Sequence, residues 1–350
     1  MIIDEALKHD NQMPKVSEIG QARIRVMGCG GGGCNAINWL FKKGVQGAEI
    51  IAINTDKQHL DMIEADKKIL IGKTTTRGLG SGGFVEKGKE SAREQIHELK
   101  KVLHNSDMVF IAAGLGGGTG TGSSPIIGGI AKEAGAIVIG VVTMPFDLER
   151  TRFDKAEQGL HELREVCDTV IVIDNNKLVN IAGNLPIKQA FAVANELIST
   201  MIKGIVEIIA VPSLVNLDYA DVKSIMSNGD VSVISVGESS SENRVEESVK
   251  NALENPLLEV NYEGATGALI HVTGGSDMTL DEVNKIGELV TETLNPEADV
   301  IWGSRIKNDF KNKIRVMSII TGVKSPYVLG KPVKEVKNKF RDYLGIDHIS

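Results

Sequence analysis

The sequence predicts an α/β fold: a doubly wound parallel sheet, a long central helix, and a second, smaller α/β domain. Three observations carry this. Strand-like apolar runs alternate with helical patterns over residues 22–185. Two of those runs lead into glycine-rich turns that precede helices. One long helical pattern then occupies residues 186–211, between Pro186 and Pro212, and the element spacing changes beyond it.

Composition sets the outer limits. A chain of 350 residues accommodates two domains, and 42% hydrophobic with 24% charged residues is ordinary for a globular protein. Aromatics make up only 4%, so the core is expected to be aliphatic. The net charge of −7 offers no general attraction to nucleic acid, which is not an expected partner. Cys29, Cys34 and Cys167 form no C-x-x-C pair, which argues against a zinc site or a disulfide framework and suits a cytoplasmic protein. Residues 1–21 read as a polar extension without the features of a secretory signal. No run of 18 apolar residues exists, so direct membrane insertion is not expected.

The first strand is Ala22–Met27, followed by the turn Gly28–Cys34 and a helix from Asn35 to Phe41. Gly28, Gly30 and Gly33 fit G-x-G-x-x-G, so this unit alone reads as a dinucleotide-binding fold with Asp56 as a candidate ribose partner. The next strand, Glu49–Asn54, ends in Thr55-Asp56. Gly72-Lys73-Thr74 imitates the end of a Walker A loop, but that motif needs glycine where Lys67 stands. Residues 74–84 form either a surface loop or a loop over a phosphate, and Ser91–His104 reads as one amphipathic helix.

The strand Met108–Ala113 opens the richest turn, Gly114–Gly122, in which six of nine residues are glycine. A helix follows with Pro125 near its first turn, and Thr119, Thr121, Ser123 and Ser124 supply hydroxyls. Glycines there let backbone N–H groups and a helix N-terminus converge on an anion. The apolar strand Ala136–Thr143, a helix over 154–166 and the strand Thr169–Ile173 complete the sheet, buried on both faces. Its ligand belongs at the carboxyl edge, where both glycine turns, Asp56, Glu149 and Asn175 fall.

Within the long helix, Ile187, Phe191, Ala194, Ile198, Met201, Ile205 and Ile208 recur at steps of three and four, which predicts burial between the domains. Gly204 implies close packing. The second domain, 212–322, is expected to hold strands Val231–Gly237, Gly267–Thr273, Val300–Ile306 and Ile314–Gly322, and helices Tyr219–Ser227, Asn243–Glu254 and Asp281–Leu294. Thr279 and Glu282 form a capping box before the last helix. A tail, 323–350, includes an amphipathic pattern at Lys331–Leu344.

Two glycine turns exceed what a dinucleotide oxidoreductase requires. They suit a nucleoside di- or triphosphate whose charge is offset by Mg²⁺. No Walker lysine, nucleophile elbow or clustered histidine supplies a catalytic group. The unexplained acids are Asp218 and Asp221, in Asn216-Leu-Asp-Tyr-Ala-Asp221. Asp218 reads as the N-cap of the helix at Tyr219, which leaves Asp221 unaccounted for. Alternatively, both carboxylates meet a phosphate site, orient a water and bind a cation. The long helix carries them away from their own glycine turns, so such a site would be completed by a neighbouring molecule.

Gly116-Gly-Gly-Thr-Gly-Thr-Gly122 with Ser123-Ser-Pro125 resembles the signature of the tubulin/FtsZ family in its FtsZ form. Gly30–Ala36, Asn54-Thr-Asp56, Pro145-Phe-Asp-Leu-Glu149, Ala156-Glu-Gln-Gly159, Asn195 and Asn216–Asp221 extend the resemblance over residues 20–322. It implies a cytoplasmic GTPase, binding GTP or GDP with Mg²⁺, that assembles head to tail into protofilaments and forms the cytokinetic ring beneath the membrane. Carried over, Gly31, Gly32, Gly33, Cys34 and Asn35, with Asn54 and Asp56, belong to the GTP site. So do Gly117, Gly118, Thr119, Gly120, Thr121 and Gly122 of the second turn. Glu149 and Arg152 would lie on the ribose side, Phe191 would stack on guanine, and Asn195, or Glu196 beside it, would read the base. Asp218 and Asp221 would act on the neighbouring subunit's nucleotide. No protein ligand to the metal is implied; Mg²⁺ is held by the phosphates. The resemblance also implies a membrane-anchoring adaptor, with Ile346–Ile349 as the candidate contact. Cys34 stands where glycine is common, which requires a negative φ. Three readings compete: an oxidoreductase, a nucleotide-binding protein that assembles without turnover, and a related filament used in DNA segregation or cell shape.

Overall fold

Strands that are apolar on every residue need cover on both faces, and the computed structural model of the chain provides it. The structure describes residues 21–227, 232–254 and 260–323, and the backbone of 328–329. In chain order the large sheet and its helices are β1 (Ile24–Cys29), α1 (Gly30–Lys43), β2 (Ala48–Asn54), α2 (Lys57–Met62), β3 (Lys67–Leu70), α3 (Val85–Glu94), α4 (Ile96–Leu103), β4 (Met108–Gly114), α5 (Thr119–Glu133), β5 (Ile137–Met144), α6 (Arg150–Val166), β6 (Thr169–Asp174) and α7 (Asn175–Ala182). The long helix α8 (Ile187–Ala210) leads to α9 (Tyr219–Ser227), β7 (Ser232–Ser239), α10 (Arg244–Leu253), β8 (Gly267–Gly274), α11 (Leu280–Thr291), β9 (Asp299–Ile306), β10 (Ile314–Thr321) and β11 (Val328–Leu329).

The large sheet runs β11-β6-β5-β4-β1-β2-β3. Strands β1 to β6 are parallel, as expected, and the chain order reverses between β1 and β4, which is the switch point of a doubly wound sheet. Alternation along β4 shows why its run is wholly apolar. Met108, Phe110 and Ala112 join the core under α1 and α8, while Val109, Ile111 and Ala113 join the opposite core with Leu99, Ile127 and Leu163. One strand was not anticipated: β11 returns from beyond the small domain and pairs antiparallel with β6.

Several boundaries differ from the sequence reading. The helix read as Ser91–His104 is two helices, α3 and α4, divided at Gln95, whose φ of −102° and ψ of 20° leave the helical region. Both glycine turns are shorter than expected, because α1 begins at Gly30 and α5 at Thr119, inside the motifs. Pro125 therefore lies inside α5 rather than in its first turn. The small domain is an α/β unit, as expected, with a mixed sheet. Its sheet runs β7-β10-β8-β9, with β10 antiparallel to both neighbours and only β8 and β9 parallel. Its helices add Val222, Val249 and Ile286 to a core that continues through α8 into the large domain. The capping box forms, with Thr279 Oγ1 accepting from Glu282 N at 3.2 Å and Thr279 N donating to the Glu282 carboxylate at 2.8 Å. The predicted strand start at Val231, the extension at 1–20, the helix at 331–344 and the adaptor contact at 346–349 lie outside the described residues.

Helix α8, 24 residues long and about 36 Å from end to end, is buried only in part. Ile187 is 77% and Phe191 40% exposed, whereas Met201, Ile202, Ile205 and Val206 are almost fully buried. A β-carbon on Gly204 would overlap Met317 Cε of β10, so glycine is what lets helix and sheet meet. At its C-terminal end the guanidinium of Arg305, from β9, donates to Glu207 O and Val211 O, both at 2.6 Å, and to Ser213 Oγ at 2.9 Å. Glu207 O also accepts from Val211 N at 3.1 Å, so the guanidinium is a second donor there and the main donor to the C-cap carbonyl of Val211. The same strand fixes the following segment through paired backbone bonds between Val215 and Ser304 at 3.1 Å.

Candidate functional site

The two glycine turns lie side by side because β1 and β4 are adjacent and in register, Cys29 beside Ala113. Gly30 enters α1 with φ of 70°, and its β-position faces Gly120 N at 2.7 Å, so any side chain there would strike the second turn. Neither helix has a side-chain cap: Cys29 before α1 and Gly118 before α5 accept no capping hydrogen bond. Gly31 and Gly117 face open space. Two uncapped helix N-termini thus meet at the switch point, where backbone donors and helix dipoles favour a polyanion.

The hydroxyls do not face that opening. Thr119 Oγ1 bonds Thr55 Oγ1 at 2.6 Å and Ser81 Oγ at 3.0 Å, Thr121 Oγ1 accepts from Gly116 N, and Ser123 Oγ donates to Thr119 O. Ser124 Oγ is buried without a partner. Thr119, Thr121 and Ser123 therefore brace the turn. The loop over 74–84 is part of the brace, since Ser81 reaches Thr119 and Thr76 Oγ1 donates to Thr55 O at 3.3 Å. Cys34 has no left-handed φ, and its thiol is buried, donating to Gly28 O and Ile53 O at 3.4 Å. Burial raises its pKa to about 12, so it offers a ligand backbone but no thiolate.

A cavity of about 190 Å³ joins the first turn to α8. Gly32, Gly33, Asn35, Thr143, Asn175, Phe191 and Asn195 line it. The structure thus brings Phe191 and Asn195 to the same space as the first glycine turn. Phe191 and Phe146 pack edge to face, with centroids 5.9 Å apart, and Phe191 stays partly exposed. Asn195 and Glu196 have different surroundings. Glu196 accepts from Trp39 Nε1 at 2.7 Å and from Lys43 Nζ, outside the cavity, while Asn195 lines it. Burial works against ionisation of Glu196, but these donors outweigh it and hold its pKa below the usual range.

Other predicted residues have local duties. Asp56 caps α2, accepting from His59 N at 3.1 Å. Asn54 Oδ1 accepts from Thr55 N and Asp56 N. Glu149 accepts from Phe146 N at 3.3 Å and pairs with Arg152 at 2.6 Å, an exposed ion pair at the carboxyl edge. Asp218 and Asp221 are far from this edge, because about 22 Å of helix separates Asn195 from Ala210. They cap α9 reciprocally: Asp221 N donates to Asp218 Oδ1 and Asp218 N to Asp221 Oδ2, each at 2.9 Å. Capping therefore does account for Asp221, contrary to the sequence reading. A larger apolar groove of about 510 Å³ lies in the small domain between α11 and β8–β9, and has no glycine turn or uncapped helix end.

The residues that sequence reasoning missed are Phe146, Thr143 and His59. Phe146 sits in a motif already noted, while Thr143 and His59 have no local signal. Among the described residues no group of three His, Cys, Asp or Glu side chains is placed to hold a metal ion, and no helix is long and apolar enough to cross a membrane.

Comparison with known proteins accords with this geometry. The model for the GTPase domain of the tubulin/FtsZ family matches residues 23–183, and the C-terminal domain of the FtsZ family matches 230–324. The chain is 56% identical over 337 residues to "Cell division protein FtsZ 2" of Methanocaldococcus jannaschii, covering 95% of this chain and 89% of the relative. It is 51% identical over 327 residues to the protein of the same name from Halobacterium salinarum, covering 93% and 83%. Among solved structures, an empty FtsZ dimer from M. jannaschii superposes with a TM-score of 0.81 at 44% identity over 99% of both chains. A GTPγS-bound protofilament of CetZ2 from Haloferax volcanii, 18% identical with a TM-score of 0.72 over 92% of this chain and 98% of that one, shares the fold. The chain belongs to the tubulin/FtsZ family and, through the domain that frames this cavity, is a GTPase.

Proposed function

We propose that this GTPase polymerises head to tail into protofilaments that form the cytokinetic ring beneath the membrane at the division site, and that GTP is hydrolysed between subunits. The single observation that supports this best is the separation of parts along α8. The phosphate-binding turns and Phe191 flank its exposed N-terminal half, while Asp218 and Asp221 follow its clamped C-terminal end. One chain cannot bring the acids to its own nucleotide, but head-to-tail stacking brings the acids of one to the nucleotide of the next. Exposed apolar side chains at both ends, Leu148, Val179 and Leu185 near the cavity and Leu214 before the acids, suit such stacking.

In this reading the first turn (Gly31–Asn35) and the second (Gly117–Gly122) hold the phosphates through backbone N–H groups. Glu149 and Arg152 lie on the ribose side, Phe191 stacks on guanine and Asn195 bonds its edge. Asn54 and Asp56 support the phosphate end. Mg²⁺ is carried by the phosphates and offsets their charge. Asp218 and Asp221 position the attacking water, so catalysis is positioning and electrostatics. The cell-division role draws on the names of the relatives. A membrane-anchoring adaptor bound through the tail completes the proposal, and loss of adaptor binding on deletion of 345–350 tests it.

The central test is GTP hydrolysis against protein concentration for the native chain and Asp218→Asn, with pelleting in parallel. Asparagine keeps a capping oxygen, so α9 is spared. Activity per chain that rises above a threshold concentration, and is lost in a variant that still binds GTP and pellets, supports the interfacial site. Activity per chain that is flat with concentration, or unaffected by the substitution, refutes it.

A further inference from the structure

We propose that His59 is a positioning residue for the nucleotide: it locks the Asn35 side chain so that its amide N–H groups face the phosphate cavity. The inference deepens the nucleotide site proposed above and rests on Asn35 belonging to it.

Asn54 ends β2 and is only 3% exposed. Its Oδ1 accepts from Thr55 N at 2.9 Å and from Asp56 N at 3.3 Å, so the amide cannot be turned around without facing oxygen with nitrogen. Its Nδ2 is then the donor toward His59 Nδ1, 3.2 Å away. A ring nitrogen that accepts carries no proton, so the hydrogen of the neutral imidazole sits on Nε2. Nε2–H points at Asn35 Oδ1, 3.1 Å away. With its oxygen engaged, Asn35 has its Nδ2 hydrogens left for the cavity that it lines.

Every donor in the chain points the same way. Backbone N–H groups fix Asn54, Asn54 sets the tautomer of His59, and His59 sets the direction of Asn35. The outward end is a donor pair, which matches phosphate or ribose oxygens and is mismatched to another donor. The three side chains come from β2, α2 and α1, and the first turn of α2 is itself held by the bond from His59 N to Asp56 Oδ1 at 3.1 Å. His59 is not itself a lining residue of the cavity; it acts through Asn35.

The test measures GTP affinity below the assembly threshold, so that filament formation does not enter, with melting temperature as a control for folding. Leucine at 59 removes both ring contacts. Glutamine can accept from Asn54 with its oxygen and donate to Asn35 with its amide. The expected results are an affinity about tenfold weaker for His59→Leu, most of that loss restored in His59→Gln, and a double variant His59→Leu/Asn35→Ala no weaker than Asn35→Ala alone. Full affinity in His59→Leu, losses that add in the double variant, or a glutamine variant as weak as leucine would overturn the relay. Asn35→Ala separates the two levels. If it binds GTP as tightly as the native chain, Asn35 lies outside the site and the underlying reading fails; if it weakens GTP while His59→Leu does not, only the relay fails.

Discussion

The two ends of α8 are built to opposite rules. Its first half, Ile187 to Leu197, is largely open: Ile187 and Phe191 are exposed, and Asn195 borders a cavity. Its second half is wedged against β10 at Gly204, and its last carbonyls are held by the buried guanidinium of Arg305. One helix thus borders an open cavity at one end and forms a structural joint at the other. The contrast teaches that apolar periodicity reports which face of a helix is apolar, not what covers it. Phe191 keeps the period of the core yet lines an open cavity.

That contrast predicts how stability and binding divide along the helix. The largest loss of stability is expected from Arg305→Met. It removes the buried guanidinium that donates to the carbonyls of Glu207 and Val211 and to Ser213 Oγ, leaving Glu207 O with only the bond from Val211 N, at a cost of about 3 kcal/mol in chemical denaturation. Gly204→Ala follows, at about 2 kcal/mol from overpacking against Met317, and Met317→Ala in the same chain should recover much of it. A pH effect of comparable size acts at the same joint. His271, 3.5 Å from Ser213 Oγ, has its pKa lowered to about 3, first by burial and then by Arg305 and Lys307. Folding therefore favours the neutral ring. Its contribution is complete above the unfolded value of 6.5 and is lost as pH falls from there toward 3, at up to about 1.4 kcal/mol per pH unit. The difference in denaturation free energy between the native chain and His271→Gln, followed over pH 7 to 4, isolates that slope. The smallest effect on stability, within about 0.5 kcal/mol, is expected for Phe191→Ala. The same variant should bind GTP about tenfold more weakly, since stacking on an aromatic ring is worth roughly 1–3 kcal/mol. A Phe191 variant that melted early while binding normally would erase the contrast.

Much of the fold was legible in the sequence for a physical reason. Strands β4 and β5 are buried on both faces, so they read as unbroken apolar runs, and the glycine turns after β1 and β4 mark the switch point. Helix starts were not legible, because the residues that open α1 and α5 are glycines with low helical propensity, held in place by the neighbouring turn. The break at Gln95 escaped because the apolar stripe continues from α3 into α4 and no glycine or proline marks it. Of the site, the cradle and Phe191 were readable as motifs. The roles of His59 and Arg305 were not: each depends on partners brought together by the fold, His59 with Asn35 and Arg305 with Glu207. Asp221 illustrates a misjudgement rather than a blind spot. Asp at the cap and Asp three residues later is a capping box written with a shorter acid, and it was legible as such.

The bracing of the second turn by its own hydroxyls has a kinetic consequence. Residues 28–34 and 114–122 contain no charged side chain, so the cradle attracts through amide dipoles alone. Dipoles act over a few ångströms, and the chain as a whole carries a net charge of −7. An arriving nucleotide, itself anionic, is thus repelled at long range and held only on contact. Dissolved salt screens the repulsion without weakening the short-range grip to the same degree. Nucleotide capture by this protein should accordingly quicken as ionic strength rises, the reverse of what a lysine-lined phosphate site would do.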